Sequence, residues 1–289
     1  MQTIVVGLIA GTIYALLAAG ITLVYKATRA VNFAQAEIGT LALYGTWWVT
    51  GKHGKPWWMG ALAALVIGIA ICLLFDRLVM RQMVTASPIT KTVATIGLLG
   101  LLTGLEGRWF AGSAKIYSSP LQHNGITIAG VHVSGPQILS FVVVAVVAVA
   151  LAVFLRGTRF GLAILASADD PVAAQLMGVP RGRVSAVTWA IAGALSVIAC
   201  LLIEPTVGVL APGFASTLFI NGLTAALLGG LTSLPGAFAG GLLVGLAEAE
   251  VVAHFVQYTQ VPGPQNLAML LIVLLVLLAR PQGLLGARE

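Results

Sequence analysis

The sequence predicts an all-α integral membrane protein, a polytopic bundle of about eight or nine transmembrane helices. Of its 289 residues, 59% are hydrophobic and only 8% are charged, whereas soluble domains contain about 25% charged residues. Residues 138–155 and 261–279 are free of charge and long enough to cross a hydrocarbon core about 30 Å thick. Helix-forming residues dominate, and alternating ten-residue segments do not recur, which favours a helical bundle over an outer-membrane barrel.

The spans follow from the apolar runs and the polar breaks between them. The seventh run, residues 216–228, is short for a span of about 20 residues, which leaves open a broken, tilted or partly re-entrant course. The predicted spans are residues 3–25, 31–50, 57–75, 92–105, 137–155, 184–203, 216–228, 235–253 and 265–279.

The lysines and arginines predict the orientation, because cytoplasmic loops carry an excess of them. Eleven lie in the inner segments when the N-terminus is placed outside: Lys26, Arg29, Arg77, Arg81, Lys91, Arg156, Arg159, Arg181, Arg183, Arg280 and Arg288. Four lie in the outer segments: Lys52, Lys55, Arg108 and Lys115. The N-terminus is therefore predicted outside and the C-terminus in the cytoplasm, with residues 111–136 as the main external loop. The net charge of +6 then reflects topology rather than nucleic-acid binding.

Residues 166–183 predict a short helix on an inner loop. Asp170 is a good N-cap, and Pro171 fits the first helical position. Asp169 adds negative charge near the positive end of the helix dipole, and Gly178 can supply the left-handed residue that ends the helix. The apolar face comprises Val172, Ala173, Leu176 and Met177. A helix of about two turns is marginal in water, so this face is expected to pack on the protein itself, on lipid headgroups or on a cytoplasmic partner.

Four pairs of glycines predict close helix packing. GxxxG pairs let helix backbones approach each other, and these lie within apolar runs rather than in phosphate-binding loops. The pairs are Gly7/Gly11, Gly100/Gly104, Gly236/Gly240 and Gly241/Gly245. The four histidines lack metal-ligand spacing, and we expect neither a catalytic centre nor a metal site.

Several segments resemble the permease subunits of ABC importers, and specifically the branched-chain amino acid permeases of the leucine/isoleucine/valine type. Residues 166–184, ASADDPVAAQLMGVPRGRV, resemble the cytoplasmic loop of that family. Residues 11–37, 219–249 and 280–286 resemble its first span and following motif, its Gly-rich region and its cytoplasmic end. The resemblance implies a single transmembrane permease domain over residues 1–289, with a cytoplasmic coupling loop at 156–183, in the bacterial inner membrane.

By this resemblance the short helix is a coupling helix that docks on a cytoplasmic ATPase. The chain lacks a GxxxxGK[ST] phosphate loop, so it is not expected to be an enzyme or to hold a cofactor, and ATP with Mg²⁺ would bind to two separate ATPase subunits. The resemblance also implies a second related permease subunit and an extracytoplasmic substrate-binding protein. The substrate would be a branched-chain or related amino acid, or an amide or urea.

Polar residues inside the spans are candidates for the translocation pathway, because a charge there costs about 2.5–3.5 kcal/mol and usually faces the bundle interior or water. Glu248 and Glu250 are two residues apart and hence on different helix faces, and Glu248 fits the family pattern better. The candidates are Asn32, Gln35, Glu37, Asn221 and Glu248. For the first three, placed at the inner end of the second span, a structural hydrogen-bond cluster that pins a helix kink is the alternative.

The sequence departs from the family pattern at three positions. Gln35 and Ala36 stand where the family reads His-Gly in NFAHGE, and Lys26 stands where glycine is common. Two other functions stay open on the sequence. A self-sufficient secondary transporter or channel for small polar solutes would need midplane charges and often an internal repeat. A structural membrane anchor would explain the short helix but not the polar residues within spans.

Overall fold

The computed structural model describes a helical bundle in most of the chain. The described residues are 2–110, 114–116, 120, 125–128, 131–255, 267, 270–271, 274–275, 278 and 283–285. The helices are α1 (Gln2–Thr28), α2 (Gln35–Thr46), α3 (Trp57–Phe75), α4 (Pro88–Phe110), α5 (Gly135–Gly157), α6 (Arg159–Asp169), α7 (Pro171–Leu176), α8 (Arg181–Val207), α9 (Ser216–Gly229) and α10 (Leu234–Phe255). A π-helical segment follows α2 (Trp47–Lys52) and another follows α3 (Asp76–Met80). Strands β1 (Gly125–Ile128) and β2 (Val131–Ser134) form an antiparallel hairpin before α5.

Six helices in the described residues are long and apolar enough to cross a membrane: α1, α3 with its π-helical extension, α4, α5, α8 and α10. The predicted polytopic helical membrane fold is therefore confirmed. The predicted short seventh span is α9, which has only 14 residues. The ninth predicted span, residues 265–279, lies largely outside the described residues, as does much of the loop at 111–136, so the total of eight or nine helices stays a prediction.

Helix α1 lies at the centre of the bundle. It packs against α5, α8, α9 and α10, and its residues from Gly11 to Val24 are all buried. Its contact with α10 is made through glycines: a Cβ added to Gly245 would lie 2.3 Å from the backbone nitrogen of Gly11, and one added to Gly11 would lie 2.8 Å from the backbone oxygen of Gly241. The predicted packing role of Gly7/Gly11 and Gly241/Gly245 is confirmed, and the backbones of the two helices touch.

Helix α9 meets α10 in the same way. A Cβ added to Gly240 would lie 2.2 Å from the backbone oxygen of Ala225, and one added to Gly236 would lie 2.1 Å from that of Gly229. The helices are joined by a tight turn in which Gly230 has a φ of 95°, a left-handed conformation that favours glycine. The Gly236/Gly240 prediction is thus confirmed as well.

The prediction for Gly100/Gly104 is wrong within the described residues. A Cβ added to either glycine meets no atom within 4 Å. The reason is the way α4 packs: it buries a single face, carrying Leu98, Leu102 and Glu106, and the two glycines lie on the other side.

Helix α2 begins later than predicted, at Gln35 rather than at residue 31. Gly20 of α1 faces this start, since a Cβ added there would lie 2.6 Å from Gln35 Nε2. Gly20 precedes the end of α1 at Thr28 by eight residues, or about 12 Å along the helix axis. The chain therefore re-enters the bundle as an irregular segment, and α2 starts within the membrane-spanning region.

Helix α7 marks one end of the bundle, called here the α7 end. Four helices line the same pocket there, through Thr28 at the end of α1, Pro88 at the start of α4, Pro171 of α7 and Arg181 at the start of α8. These helices therefore begin or end at a common level, which gives a reference for the depth of other residues.

The glycine contact predicts unequal effects of the same substitution at two positions. Gly245→Val should lower the free energy of unfolding by about 1–3 kcal/mol, because its side chain would overlap the backbone of α1. Gly104→Val should leave stability unchanged or raise it slightly, because the site is open and glycine is a poor helix former. Thermal unfolding of the detergent-purified variants by circular dichroism measures the difference. Equal melting temperatures would contradict the packing described.

Candidate functional site

Three helices contribute to a polar cluster around Glu248 of α10. The Tyr14 hydroxyl of α1 donates a hydrogen bond to Glu248 Oε2 at 2.5 Å, and the Asn221 side-chain amide of α9 donates to the same oxygen at 3.0 Å. Tyr14 and Asn221 are buried, and Glu248 is half-buried. Glu250 instead is exposed and pairs with His254 at 3.2 Å. The structure thus joins two of the predicted residues, and it separates Glu248 from Glu250 as predicted.

A second cluster contains two acidic residues, Glu37 of α2 and Glu106 of α4. Both are buried, and their carboxyl groups are close enough to interact electrostatically. The Thr103 hydroxyl contacts Glu37 Oε1 at 3.4 Å. Glu106 interacts with Glu37 and with the backbone of Gly213, although neither of its carboxyl oxygens makes a hydrogen bond of ordinary geometry within the described residues. Since two acidic side chains buried side by side are costly, this cluster is suited to take up a cationic group.

Asn32 and Gln35 form a separate network that holds the irregular segment before α2. Asn32 Oδ1 accepts from the backbone N–H of Ala34 at 3.1 Å, and Asn32 Nδ2 donates to Gln35 Oε1 at 2.8 Å. Gln35 Nε2 donates to the backbone oxygen of Ala192 on α8 at 2.7 Å, and Ser196 donates to the Gln35 backbone oxygen. Asn32 and Gln35 are fully buried, so these contacts satisfy polar groups that irregular backbone would otherwise leave open.

The two acidic clusters lie at a similar depth. Tyr14 precedes Thr28 by 14 residues, about 21 Å along α1 from the α7 end. Thr103 follows Pro88 by 15 residues, about 22 Å along α4 from the same end. Glu37 therefore lies at the start of the second helix, as predicted, but deep in the bundle, because α2 itself starts within the bundle.

Tyr14, Thr103 and Glu106 escaped the sequence analysis. Tyrosine and threonine are unremarkable within an apolar span, and nothing local marks them as partners of an acid. Glu106 was missed because the fourth span was predicted to end at residue 105, whereas α4 continues to Phe110. A signal was present: Leu98, Leu102 and Glu106 recur every four residues and therefore share one helix face.

Helix α7 has the ends that its sequence predicts. Asp170 Oδ1 accepts hydrogen bonds from the backbone N–H groups of Val172 at 2.8 Å and Ala173 at 2.9 Å, with Pro171 in the first turn. Gly178 has a φ of 84°, the left-handed conformation expected just after a helix. Asp169, the last residue of α6, is exposed. The predicted loop 156–183 therefore contains two helices, of which α6 was not foreseen.

The apolar face of α7 points away from the protein. Leu176 is 84% exposed and Met177 is 85% exposed, and Val172 and Ala173 are exposed as well, whereas Ala174 is only 6% exposed. The alternative that this face packs on the protein itself is therefore wrong. Its four residues, Val172, Ala173, Leu176 and Met177, are not covered by any of the described residues.

Metal ligation has no support in the described part of the chain, where no group of three or more His, Cys, Asp or Glu side chains is placed to hold an ion.

The Glu248 cluster predicts a stability difference between two neighbouring acids. Glu248→Ala should lower the free energy of unfolding by about 1–3 kcal/mol, because it leaves the Tyr14 hydroxyl and the Asn221 amide unpaired in the interior. Glu250→Ala should have little effect, since an exposed ion pair contributes about 0–1 kcal/mol. Denaturation of the two purified variants in the same detergent measures both, and an equal loss would contradict the cluster.

Comparison of the sequence with known proteins shows which family the chain belongs to. The sequence profile of the family described as "Branched-chain amino acid transport system / permease component" matches residues 3–279. The high-affinity branched-chain amino acid transport system permease protein BraD of Pseudomonas aeruginosa is 32% identical over 303 residues, which cover 100% of this chain and 96% of BraD. The corresponding permease protein LivH of Salmonella typhimurium is 28% identical, with coverage of 100% and 96%.

A solved structure, PsaBC from Streptococcus pneumoniae in complex with Fab, aligns with 97% of this chain and 90% of that chain at 17% identity and a TM-score of 0.46. The relatives are named as permease proteins of transport systems, which supports a permease component over a self-sufficient secondary transporter or channel. The chain belongs to the family of permease components of branched-chain amino acid transport systems.

Proposed function

We propose that this chain is the membrane-spanning permease subunit of an ATP-driven importer that carries branched-chain or related amino acids into the cytoplasm. The names of its relatives support the substrate class. The observation that carries the ATP-driven mechanism is α7, a capped helix at one end of the bundle whose larger apolar side chains point outward. A helix of this kind is suited to dock in a groove of another protein.

The occupant of this surface is proposed to be a cytoplasmic ATPase subunit rather than lipid headgroups. A helix that lies on a membrane usually carries cations on its polar face and larger apolar residues. Helix α7 is preceded by two exposed acids, Asp169 and Asp170, which an anionic membrane surface would repel. Val172, Leu176 and Met177 supply the apolar contact.

Movement of α7 would reach the bundle through α8. Only residues 177–180 separate the two helices, so a displacement of α7 pulls directly on the start of α8. Helix α8 packs against α1, α2 and α3, and its Ala192 and Ser196 hold the start of α2 through Gln35. This chain of contacts supports a mechanism in which ATP binding closes the ATPase pair and shifts α2 and α8 together.

The acidic clusters are proposed to line the route of the substrate. An amino acid carries an ammonium group, which the carboxyl groups of Glu37, Glu106 and Glu248 attract. Asn221 orients Glu248 through its hydrogen bond. Asn32 and Gln35 are assigned to holding the start of α2 rather than to contact with substrate, because their hydrogen bonds are made within the protein.

The complete importer is proposed to contain a second related permease subunit, two ATPase subunits that bind ATP and Mg²⁺, and an extracytoplasmic substrate-binding protein. This chain itself needs no cofactor in this scheme. The α7 end is placed in the cytoplasm, with the N-terminus outside, in agreement with the excess of Lys and Arg in the predicted inner segments.

The experiment that tests this proposal is gentle affinity purification of the chain from its native membranes, followed by mass spectrometry of every protein recovered. Recovery of ATPase subunits and a second permease is the expected result, and the associated binding protein can then be screened for amino acid binding. Recovery of the chain alone, with solute transport into liposomes in the absence of ATP, would overturn the proposal.

Docking through α7 predicts a loss of partner binding without a loss of fold. The double variant Leu176→Ser/Met177→Ser should recover far less ATPase, because burial of each side chain is worth about 1.5–3 kcal/mol. The control Phe160→Ser/Leu162→Ser changes two exposed apolar residues of α6 and should recover the normal amount. Both variants should melt at the wild-type temperature, and normal ATPase recovery from the α7 variant would exclude this surface.

The left-handed Gly178 predicts a sharper effect on coupling. Gly178→Val should strain the end of α7 and abolish both transport and substrate-stimulated ATPase activity, because a β-branched residue is a strong outlier at positive φ. Gly178→Asn should retain much of both, since asparagine adopts this conformation more readily. Wild-type transport and ATPase activity in Gly178→Val would contradict the coupling role.

A further inference from the structure

A basic pocket of about 240 Å³ lies at the α7 end of the bundle. Four separate segments contribute its cations: the end of α1, the turn after the second π-helical segment, the start of α4 and the start of α8. The basic lining residues are Lys26, Arg29, Arg81, Lys91 and Arg181. No acidic residue is among the described residues that line the pocket.

The positive charges of the pocket are only partly balanced. Asp76 is fully buried and accepts hydrogen bonds from Arg81 Nε at 3.0 Å and from Ser185. Asp169 lies near Lys26. Two acids therefore face five cations, which leaves an excess of three positive charges. Within the group, Lys26 lies near Arg29 and Lys91 near Arg181, so that like charges repel across the pocket.

Hydrogen bonds fix the walls of the pocket despite this repulsion. Arg81 Nη2 donates to the backbone oxygen of Gly182 at 2.9 Å, which ties the turn after α3 to the start of α8. Arg29 Nη2 donates to the backbone oxygen of Ala168 at 3.1 Å, which ties α1 to α6. Arg29 also adopts a left-handed φ of 58°, which is uncommon for a residue other than glycine. Two of the five cations, Arg29 and Arg81, are thus held in place at the walls of the pocket.

The pocket lies at the level of the membrane surface. It is formed where the long apolar helices α1, α4 and α8 end or begin. Val84 of its lining is 46% exposed, and the neighbouring Ile89 is 77% exposed. A phospholipid presents an anionic phosphate beside apolar chains at this level, and basic pockets between helices at the cytoplasmic surface bind such headgroups.

We propose that this pocket binds the phosphate group of an anionic phospholipid. Lys91 and Arg181 supply charge that neither Asp76 nor Asp169 neutralises, and Lys26 adds a charge that only the exposed Asp169 offsets. Val84 and Ile89 meet the apolar part of the lipid. Pro171 of α7 also lines the pocket, so the bound lipid would brace α7 against α1 and α8. This effect on coupling rests on the proposed function, whereas the binding of lipid does not.

In the test, the purified protein, with any co-purifying subunits, is exposed to a mixture of equal parts phosphatidylglycerol and phosphatidylcholine. Native mass spectrometry then measures which lipid the protein retains. The wild type should retain phosphatidylglycerol preferentially. In the triple variant Lys26→Gln/Lys91→Gln/Arg181→Gln the affinity should fall about a hundredfold, since a cation near the surface contributes about fivefold. The control Arg77→Gln/Arg159→Gln/Arg183→Gln removes three charges that do not line the pocket and should change little.

Three results would overturn the proposal. Equal retention of the two lipids by the wild type would exclude an anionic headgroup site. An equal loss in both triple variants would indicate general surface charge. Displacement of phosphatidylglycerol by inorganic phosphate at the same concentration would identify free phosphate as the ligand. If the triple variant does not fold, Lys91→Gln and Arg181→Gln should each weaken binding about fivefold. If the lipid-binding prediction fails, the expected result of the ATPase recovery experiment does not change.

Discussion

The backbone contact between α1 and α10 is the constraint on which the rest of the bundle depends. Gly245 meets Gly11 at distances that leave no room for a side chain. In a membrane such close packing takes the place of the hydrophobic effect, because lipid chains are as apolar as the helices themselves. With α10 held against α1, Glu248 comes within reach of Tyr14, and α9 brings Asn221 to the same oxygen.

The late start of α2 depends on a second set of contacts, made with α8. An irregular segment within the membrane is stable only where its polar groups find partners. Gln35 supplies them by bonding to Ala192 of α8 and to Asn32 of its own segment. Gly20 leaves the space that the Gln35 amide occupies. The neutral amide at position 35 therefore has a defined structural role.

The sequence predicted well whatever depends on local chemistry. The boundaries of α3 coincide with the predicted span, and the ends of α7 follow from Asp170 and Gly178, because apolar runs and caps are properties of neighbouring residues. The sequence predicted poorly the features that depend on contacts between helices distant in the chain. The Gly100/Gly104 pair has the same spacing as Gly241/Gly245, yet within the described part of the chain only the second pair has a helix against it. Glu106 and α2 show the same limit, since their depth is set by partners far away in the chain.

The small contact between α7 and the bundle separates two kinds of evolutionary change. Ala174 of this helix is buried, while Val172, Leu176 and Met177 point outward. Substitutions at the three outward positions change an exposed surface without disturbing the packing of the bundle, whereas a larger residue at position 174 has to displace the helix. The exposed surface of α7 can therefore change in sequence while the membrane-spanning architecture stays constant.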